Sequence, residues 1–453
     1  MKKIYYFLSI TLVVVSLLLR IYKIENRAPF DWDQNRDFKA ISEIASGKPI
    51  LIGPVAKGEG GFLLGPLYYY IVTPAYLLSG QSPIALPLTA AILDVVTIAM
   101  MLYLLPSIIG KKMAFSVSFI WSFSWFAIEM SRISWNVALI PLWSVLIIWI
   151  ITLRSIYSPS MILFFGLLVG TSWHIHAALI PTSVLLALIY FRIWTQNWKS
   201  IAFFVLGYLI PLIPLIIFDI RHSGINIHLM SEMLKSGSQV DFQLPIMLQS
   251  ALMRLGKNIQ SIFTGISEYS LILGSVLMVL SLASIAYYKG LYRVCGIIIV
   301  LNFIAIMYLR EPGFPEYYFA FSYIPSILII IKIVHSLTKD SVAILLIIGV
   351  LVGITNFMHY SLSETSFGLS RKMSVAKLMS EQGQTIDLYF DLVQGREGGI
   401  VPLYKKYGGT IDKSSALKIV VSDKNDGPIN LDGELTSVIG NFGGLRVSKL
   451  IVE

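Results

Sequence analysis

The stretch MKKIYYFLSITLVVVSLLLRIYKIENRAPFDWDQNRDFKAI, residues 1–41, decides the fold. Residues 4–22 are a predominantly apolar run, and about 20 such residues cross the hydrocarbon core of a membrane as a helix. Lys2 and Lys3 precede this run and no small-residue cleavage site follows it, so we expect a membrane anchor rather than a removed signal peptide. An acidic segment comes next. The stretch therefore predicts a chain that crosses the membrane and then places carboxylates at its surface.

The composition of the whole chain agrees with a membrane protein. Of 453 residues, 56% are apolar and 13% are charged, whereas a soluble domain carries about 25% charged residues. This excludes an ordinary water-soluble enzyme. The single cysteine, Cys295, excludes an intramolecular disulfide and a thiolate metal cluster. We interpret the net charge of +9 as the Lys and Arg excess that orients membrane helices, rather than as a surface that binds nucleic acid.

Apolar runs of spanning length predict an all-α polytopic membrane protein with about eleven transmembrane helices. We place the spans near 4–22, 84–106, 112–129, 136–153, 159–173, 176–192, 200–218, 269–288, 292–309, 317–334 and 341–360. Lys and Arg gather in alternate loops, which puts the N-terminus in the cytoplasm. Loops 23–83 and 219–268 then lie outside. We expect a multi-pass protein of the plasma (inner) membrane.

The composition changes sharply after the last span. Residues 1–361 form the predicted membrane region, and 362–453 form a small extracytoplasmic α/β domain. Alternating apolar residues at 386–390 and 417–421 predict strands, and helical spacing runs from 374 to 382. This tail carries no metal triad or phosphate loop, so we expect a lid or docking module.

Three carboxylates stand close together after the first span, at Asp31, Asp33 and Asp37. Placing three carboxylates at the membrane surface costs free energy unless water solvates them or they bind a ligand or take part in a reaction. Apolar residues at helical spacing from position 34 predict an amphipathic helix on the interface. Asp33 stands where an N-cap would be, so a purely structural role is the simplest alternative to catalysis.

A second irregular segment leads from Gly53-Pro54 to Gly65-Pro66 and then into LYYY at 67–70. The apolar run 67–79 is too short to span and predicts a re-entrant or interfacial helix. Its tyrosines either anchor this helix in the interface or line a groove for a lipid headgroup.

Further motifs follow in a fixed order: Arg132 with Trp135-Asn136, FDIRH at 218–222, and YYF at 317–319 ahead of Tyr323-Ile324-Pro325. With the Asp33-Gln34, Arg36, Gly53-Pro54 and GPLYYY motifs, this order resembles the protein O-mannosyltransferase and aminoarabinose-transferase-like branch of the GT-C glycosyltransferases. The resemblance covers most of the membrane region.

The resemblance implies an integral membrane enzyme that takes a sugar from a polyprenyl-phosphate carrier and passes it to a lipid, glycan or protein acceptor outside the cytoplasm. It also implies that Asp33, the match to the acidic residue of the first external loop, is the general base. The family often has Asp-Glu where this chain has Asp33-Gln34, and some relatives carry a basic residue at the position of Gly65.

The chemistry of such a transfer needs a carboxylate for the incoming hydroxyl and positive charge for the departing phosphate. A single displacement inverts the anomeric carbon. We predict Asp33 as the base and Asp37 as an accessory carboxylate. A guanidinium group can donate two parallel hydrogen bonds to the oxygens of one phosphate. Tyrosines can line the groove that holds the polyprenyl carrier. The substrate-binding candidates are Arg36, Tyr68, Tyr69, Arg132, Arg221, His222, Arg310 and Tyr318.

Other classes of protein remain as alternatives. A transporter or flippase of lipid-linked glycans requires charges near span centres, and Asp94 is the clearest such acid. A polymerase of lipid-linked glycans would share the carrier. Asp31-Trp32-Asp33 also matches the metal-holding Asp-x-Asp of nucleotide-sugar transferases, although those donors are cytoplasmic. The sequence identifies no cofactor, and a divalent cation between Asp33 and a lipid phosphate is left open. His174 and His176 are two residues apart and would lie on different faces of a helix, so we expect them to pack at the interface rather than to bind a common ligand.

Overall fold

A helical bundle followed by a small α/β domain makes up the protein. The structure is a computed structural model, and it describes residues 2–56, 61–153, 158–194, 198–237, 243–308, 314–337, 349–357, 365–425, 430–431 and 434–450. Within these ranges the fold class predicted from the sequence is confirmed.

The helices follow the predicted apolar runs closely. They are α1 (Lys2–Ile21), α2 (Ile24–Arg27), α3 (Trp32–Ala45), α4 (Leu67–Leu78), α5 (Ala85–Leu104), α6 (Pro106–Ile109), α7 (Lys111–Phe123), α8 (Trp125–Met130), α9 (Ile140–Thr152), α10 (Pro159–Ile175), α11 (Leu179–Trp194), α12 (Trp198–Arg221), α13 (Ile225–Gly237), α14 (Leu244–Thr264), α15 (Leu271–Tyr287), α16 (Leu291–Tyr308), α17 (Tyr323–Leu337), α18 (349–357), α19 (Leu369–Gln382) and α20 (Ile400–Lys406). Two 3₁₀ helices, Asn136–Leu139 and Glu316–Ser322, lead into α9 and α17.

In the described ranges, four helical segments are long and apolar enough to cross a membrane. They are Lys3–Ile21, Ala85–Ile109, Trp198–Arg221 and Glu316–Leu337. Shorter apolar helices accompany them, including α9, α10, α15 and α16. The last predicted span, near 341–360, lies outside the described residues except for the helical residues 349–357.

Helices α10 and α12 approach each other at glycines. A β-carbon at Gly166 or Gly207 would overlap a backbone carbonyl of the facing helix, that of Phe204 or Leu163. Small residues at such positions let two helix backbones approach closely. Close packing of this kind helps helices to associate in lipid, where the hydrophobic effect does not drive them together. This contact fixes α12, whose last residue is Arg221, against α10.

The segment 219–268, predicted as a long loop, contains two helices, α13 and α14. The 21-residue α14 packs against α15, where Gly256 faces Gly274. Its apolar residues alternate with Arg254, Lys257 and Asn258. Because these polar residues lower the hydropathy of the run, a search for spanning segments does not find an amphipathic helix of this kind.

A buried ion pair joins α1 to α5. Arg20 Nε lies 2.6 Å from Asp94 Oδ2, and Trp121 Nε1 donates to Asp94 Oδ1 at 2.9 Å. Both charged side chains are buried. The charge of Asp94, the acid that a transport path would have required, is therefore balanced by Arg20 inside the helix bundle.

The C-terminal domain forms a six-stranded mixed sheet with the strand order β2-β1-β3-β6-β5-β4. The strands are β1 (Thr385–Asp391), β2 (Thr410–Ile411), β3 (Lys418–Asp423), β4 (Asn430–Leu431), β5 (Glu434–Phe442) and β6 (Leu445–Leu450). β1 pairs in parallel with β2 and β3, and β6 is antiparallel to β3 and β5. The strands predicted at 386–390 and 417–421 and the helix at 374–382 are confirmed as β1, β3 and part of α19.

Candidate active site

The first turn of α3 borders the candidate site, and Asp31 is its N-cap. Asp31 accepts from the backbone N–H of Gln34, and its own N–H donates to Gln34 Oε1 at 2.9 Å, which completes a capping box. The prediction that Asp33 occupies the cap is therefore wrong by two residues. Because Asp31 satisfies the helix end, Asp33 is available to the cavity beside it.

Arg36 stands between the two remaining carboxylates of the segment. Its Nη1 lies 2.7 Å from Asp33 Oδ1, and its Nη2 lies 2.7 Å from Asp37 Oδ1. Asp33 is 47% exposed, whereas Asp37 is fully buried. The Arg36 guanidinium thus links the buried carboxylate of Asp37 to the exposed carboxylate of Asp33, and these two acids are four residues apart on one face of α3.

Burial controls the charge of this group. It raises the pKa of Asp37 to about 7, although Arg36 and the Tyr69 hydroxyl oppose the shift. Burial by itself lowers the pKa of Arg36, but the neighbouring Asp37 reverses this, so the guanidinium stays charged. Asp37 therefore titrates near neutral pH behind a permanently charged arginine.

This titration predicts a pH dependence of stability. In the unfolded chain Asp37 loses its proton near pH 4, and in the folded protein it does so near pH 7. The unfolded state therefore binds fewer protons between these values, and stability falls as pH rises, by at most about 1.4 kcal/mol per pH unit. We expect Asp37→Asn to remove this slope in chemical unfolding curves recorded from pH 4 to 8. An equal slope in both proteins would contradict the assignment.

A cavity of about 600 Å³ opens beside Asp33 and Arg36. Its polar and aromatic lining comes from α3, from the residues ahead of α9, from the α10–α11 connection and from the 3₁₀ helix before α17. These residues are Trp32, Asp33, Arg36, Trp135, Asn136, His176, Tyr317 and Tyr318. The cavity therefore combines one carboxylate, one guanidinium and several aromatic faces, a combination suited to a polar ring with an anionic substituent.

His176 supplies a neutral imidazole to the cavity wall. Burial lowers its pKa to about 4. The N–H of Ala178 donates to its Nδ1 at 3.2 Å, so the proton of the neutral ring is on Nε2. Tyr317 and Tyr318 pack edge-on against the ring, with centroids 5.5 and 4.8 Å away. His176 is thus a fixed hydrogen-bond donor that carries no charge at neutral pH.

Gln34 has a structural role. Its Oε1 accepts from Asp31 N–H and its Nε2 donates to the Ser134 carbonyl at 3.0 Å. A glutamate could close the capping box but could not donate to that carbonyl. The amide therefore explains why this chain has Asp33-Gln34 rather than two acids.

Gly65 has no room for a side chain because the His174 ring occupies the space where its β-carbon would be. His174 Nδ1 accepts from Leu67 N–H at 3.3 Å, and Nε2 lies 2.6 Å from the Pro211 carbonyl. The packing role predicted for His174 agrees with these contacts. A basic residue at position 65 is sterically excluded in this chain.

Gly65→Ala is expected to destabilise the fold by about 1–3 kcal/mol, since the held imidazole cannot move aside without losing a hydrogen bond. The measurement is the thermal unfolding midpoint in detergent. Gly353→Ala is the matched control, because nothing lies within 4 Å of a β-carbon at Gly353. Equal midpoints for the two variants would contradict the overlap.

The other predicted site residues lie in different surroundings. Tyr68 and Tyr69 are buried behind α3, where Tyr68 Oη and Ser134 Oγ are 2.9 Å apart. Tyr318 lines the cavity. Arg221 and His222 are exposed at the end of α12, and the His222 ring stacks on Phe218. Arg310 lies outside the described residues.

Arg132 is fully buried away from the cavity. Its guanidinium donates to the backbone carbonyls of Leu19 at 2.9 Å and Arg20 at 3.2 Å, and it pairs with Glu129 at 2.6 Å. It therefore satisfies the carbonyls at the C-terminal end of α1, as a basic side chain does at a helix end.

Sequence reasoning missed His176 at the cavity wall and two residues of α14 that contact the segment around Tyr318. His176 was expected to pack only. Arg254 and Lys257 were assigned to a loop, yet Arg254 donates to the Phe314 carbonyl at 2.6 Å and Lys257 pairs with Glu316 at 2.7 Å. These contacts hold the segment that carries Tyr317 and Tyr318. The helical spacing of apolar residues in 244–264 was the available signal for α14.

No metal site is evident in the ranges that the structure describes, since no three His, Cys, Asp or Glu side chains converge there. Asp33 and Asp37 are joined through Arg36 rather than facing a common point. These residues do not fit a metal cage formed by protein ligands alone.

Solved structures of known proteins share the fold of this chain. No protein-family profile matches the sequence, and a search of curated proteins finds no match. Among solved structures, ArnT from Cupriavidus metallidurans bound to undecaprenyl phosphate superposes with a TM-score of 0.60, at 11% identity over 97% of both chains. The chain has the GT-C fold. The apo state of the same ArnT gives a TM-score of 0.50.

A second protein shares the GT-C fold over much of its length. The apo oligosaccharyltransferase of Archaeoglobus fulgidus superposes with a TM-score of 0.54 at 13% identity, over 91% of this chain and 64% of that enzyme. This chain thus spans less than two thirds of the archaeal enzyme, but 97% of the ArnT chain. The GT-C fold expected from the sequence motifs is confirmed, and it includes the C-terminal domain.

Proposed function

We propose that this protein is an integral membrane glycosyltransferase that moves a sugar from a polyprenyl-phosphate donor to a lipid, glycan or protein acceptor. The observation that carries the proposal is the half-exposed carboxylate of Asp33 at a cavity of about 600 Å³. The fold supports it, because a neighbour of nearly equal length is bound to undecaprenyl phosphate.

In the proposed reaction Asp33 acts as general base. It takes the proton of the acceptor hydroxyl while the hydroxyl oxygen attacks the anomeric carbon, and the bond from that carbon to the phosphate oxygen breaks. The electron pair leaves with polyprenyl phosphate, and the anomeric configuration inverts. Asp37 is the accessory carboxylate, since it holds Arg36 and Arg36 holds Asp33.

The departing phosphate needs positive charge, and Arg36 is the cation among the described residues that line the cavity. A phosphate oxygen there would compete with Asp33 for Nη1, while Asp37 keeps the guanidinium in place. Arg221 and Arg310 remain proposed phosphate ligands from later segments. His176 can donate a hydrogen bond to a sugar hydroxyl without adding charge.

We place the site and the C-terminal domain on the extracytoplasmic face of the plasma membrane. The distribution of Lys and Arg among the loops supports this side. Contacts also support a common side for loop 23–83 and the C-terminal domain, because Lys406 Nζ donates to the Gln81 carbonyl at 2.6 Å and Thr365 Oγ1 to the Asn26 carbonyl at 2.9 Å.

The test is direct transfer of label. Purified protein is incubated with radiolabelled polyprenyl-phosphate sugars, and label is followed into lipid, glycan and protein fractions, with and without EDTA. We expect label to leave the donor and to appear in one fraction with the inverted anomeric configuration. Movement of intact donor across proteoliposomes without transfer would instead indicate a flippase. Loss of transfer in EDTA would add a divalent cation to the site.

A further inference from the structure

Lys372 of α19 is buried at the junction between the C-terminal domain and loop 23–83. Its ammonium donates to the Phe30 carbonyl at 2.6 Å, to Asp31 Oδ1 at 2.9 Å and to the Gly398 carbonyl at 2.8 Å. Three acceptors satisfy all three protons of an ammonium group. A buried charge of this kind is stable only where its partners are held in place, so the junction has one defined geometry.

What Lys372 holds is the start of the helix that carries the proposed base. Asp31 is the N-cap of α3, and its backbone carbonyl accepts from Asn35 N–H at 2.9 Å, the first bond of the helix. Asp33 is two residues further on. Any shift of the cap therefore moves the carboxylate that faces the cavity.

A second contact joins the same elements. Trp32 Nε1 donates to Glu397 Oε1 at 3.3 Å, and the other oxygen of Glu397 accepts from Gly395 N–H at 2.8 Å. A β-carbon at Gly399 would overlap the Phe30 ring, so this loop packs directly on the residues before α3. The C-terminal domain thus contacts the cap and both of its neighbours in sequence.

We propose that Lys372 is a positioning residue for the transfer reaction: it fixes the Asp31 cap and thereby the orientation of Asp33 and Arg36 toward the cavity. This inference rests on the proposed function. Lys372 does not line the cavity, so it acts through α3 rather than on the substrate. The C-terminal domain is then a structural part of the active site rather than an independent lid.

The first test needs no activity. Hydrogen–deuterium exchange is measured on peptides that cover residues 30–38 in the full-length protein, in Lys372→Met and in Lys377→Met, an exposed lysine of the same helix. We expect exchange of the Gln34 and Asn35 amides to speed up by about 10-fold or more in Lys372→Met, because the cap loosens. Lys377→Met should match the wild type. Unchanged exchange in Lys372→Met would overturn the proposal.

The second test uses turnover. Lys372→Met should lower kcat about 10–100-fold, with the KM for donor changed less than about 3-fold, since misplacement of a reacting group costs rate rather than affinity. In an Asp33→Asn background the same change should cost clearly less than in the wild type, because one of the two groups that it positions is gone. Additive losses, or losses that follow the folded fraction, would overturn the positioning role.

Asp31→Asn provides a variant that keeps a capping oxygen but removes the charge opposite Lys372. It should show the same pattern with a smaller loss of kcat. If the wild type transfers no label from any donor, the proposed function fails. The exchange experiment then still decides whether Lys372 orders the start of α3.

Discussion

Asp33→Asn is expected to lower the rate of sugar transfer by about 10²–10⁴-fold, the range that general-base catalysis contributes. Asparagine has nearly the shape of aspartate but cannot accept the acceptor's proton. The KM for the donor should change little, because Arg36 remains paired with Asp37. The measurement is initial turnover at saturating donor, with far-UV circular dichroism to verify the fold.

Glu43→Gln is the matched control for this prediction, since Glu43 lies exposed on the same helix, beyond the cavity. Its turnover should equal that of the wild type. Wild-type turnover in Asp33→Asn would remove Asp33 from the base role. An equal loss in both variants would point to a general effect of charge on α3 instead.

Asp94→Asn is expected to destabilise the protein by about 3–5 kcal/mol, because it leaves the buried charge of Arg20 without its counterion. The amide still accepts from Trp121, so little packing is lost and the effect is electrostatic. The measurement is the midpoint of unfolding in a denaturing detergent titration.

Two comparisons make this second prediction decisive. Asp391→Asn, at an exposed carboxylate of the C-terminal sheet, should leave the midpoint unchanged. The double variant Arg20→Met with Asp94→Leu should recover much of the lost stability, since an apolar pair avoids the unpaired charge. A midpoint for Asp94→Asn equal to that of Asp391→Asn would show that the pair is not essential for stability.

The sequence predicted the membrane helices well because the length of an apolar run is a local property. The runs at 84–106 and 159–173 correspond to α5 and α10 within a few residues. The prediction failed at α14, where packing against α15 stabilises a helix that its own hydropathy does not reveal. Local composition cannot show which neighbour will cover a half-polar helix.

For the candidate site, the sequence indicated a segment that borders a cavity, but it assigned two residues contacts that differ from those in the structure. Asp31, not Asp33, caps α3. Arg132 was a phosphate candidate, yet its guanidinium serves the end of α1. Both differences arise from partners that lie near in space, and a one-dimensional motif contains no information about which donor or acceptor will be within 3 Å.

The sequence by itself determined that this chain crosses a membrane, that a carboxylate-rich helix follows the first crossing and that an α/β domain ends the chain. Apolar length, helical spacing and strand alternation suffice for each of these features, since they depend on neighbouring residues alone. The tertiary structure decided which charges are paired and which face the cavity. Arg20 finds Asp94 across 74 positions, and Lys372 finds Asp31 across 341. Only the folded backbone brings such residues together, because an ion pair acts over a few ångströms of space whatever the separation along the chain.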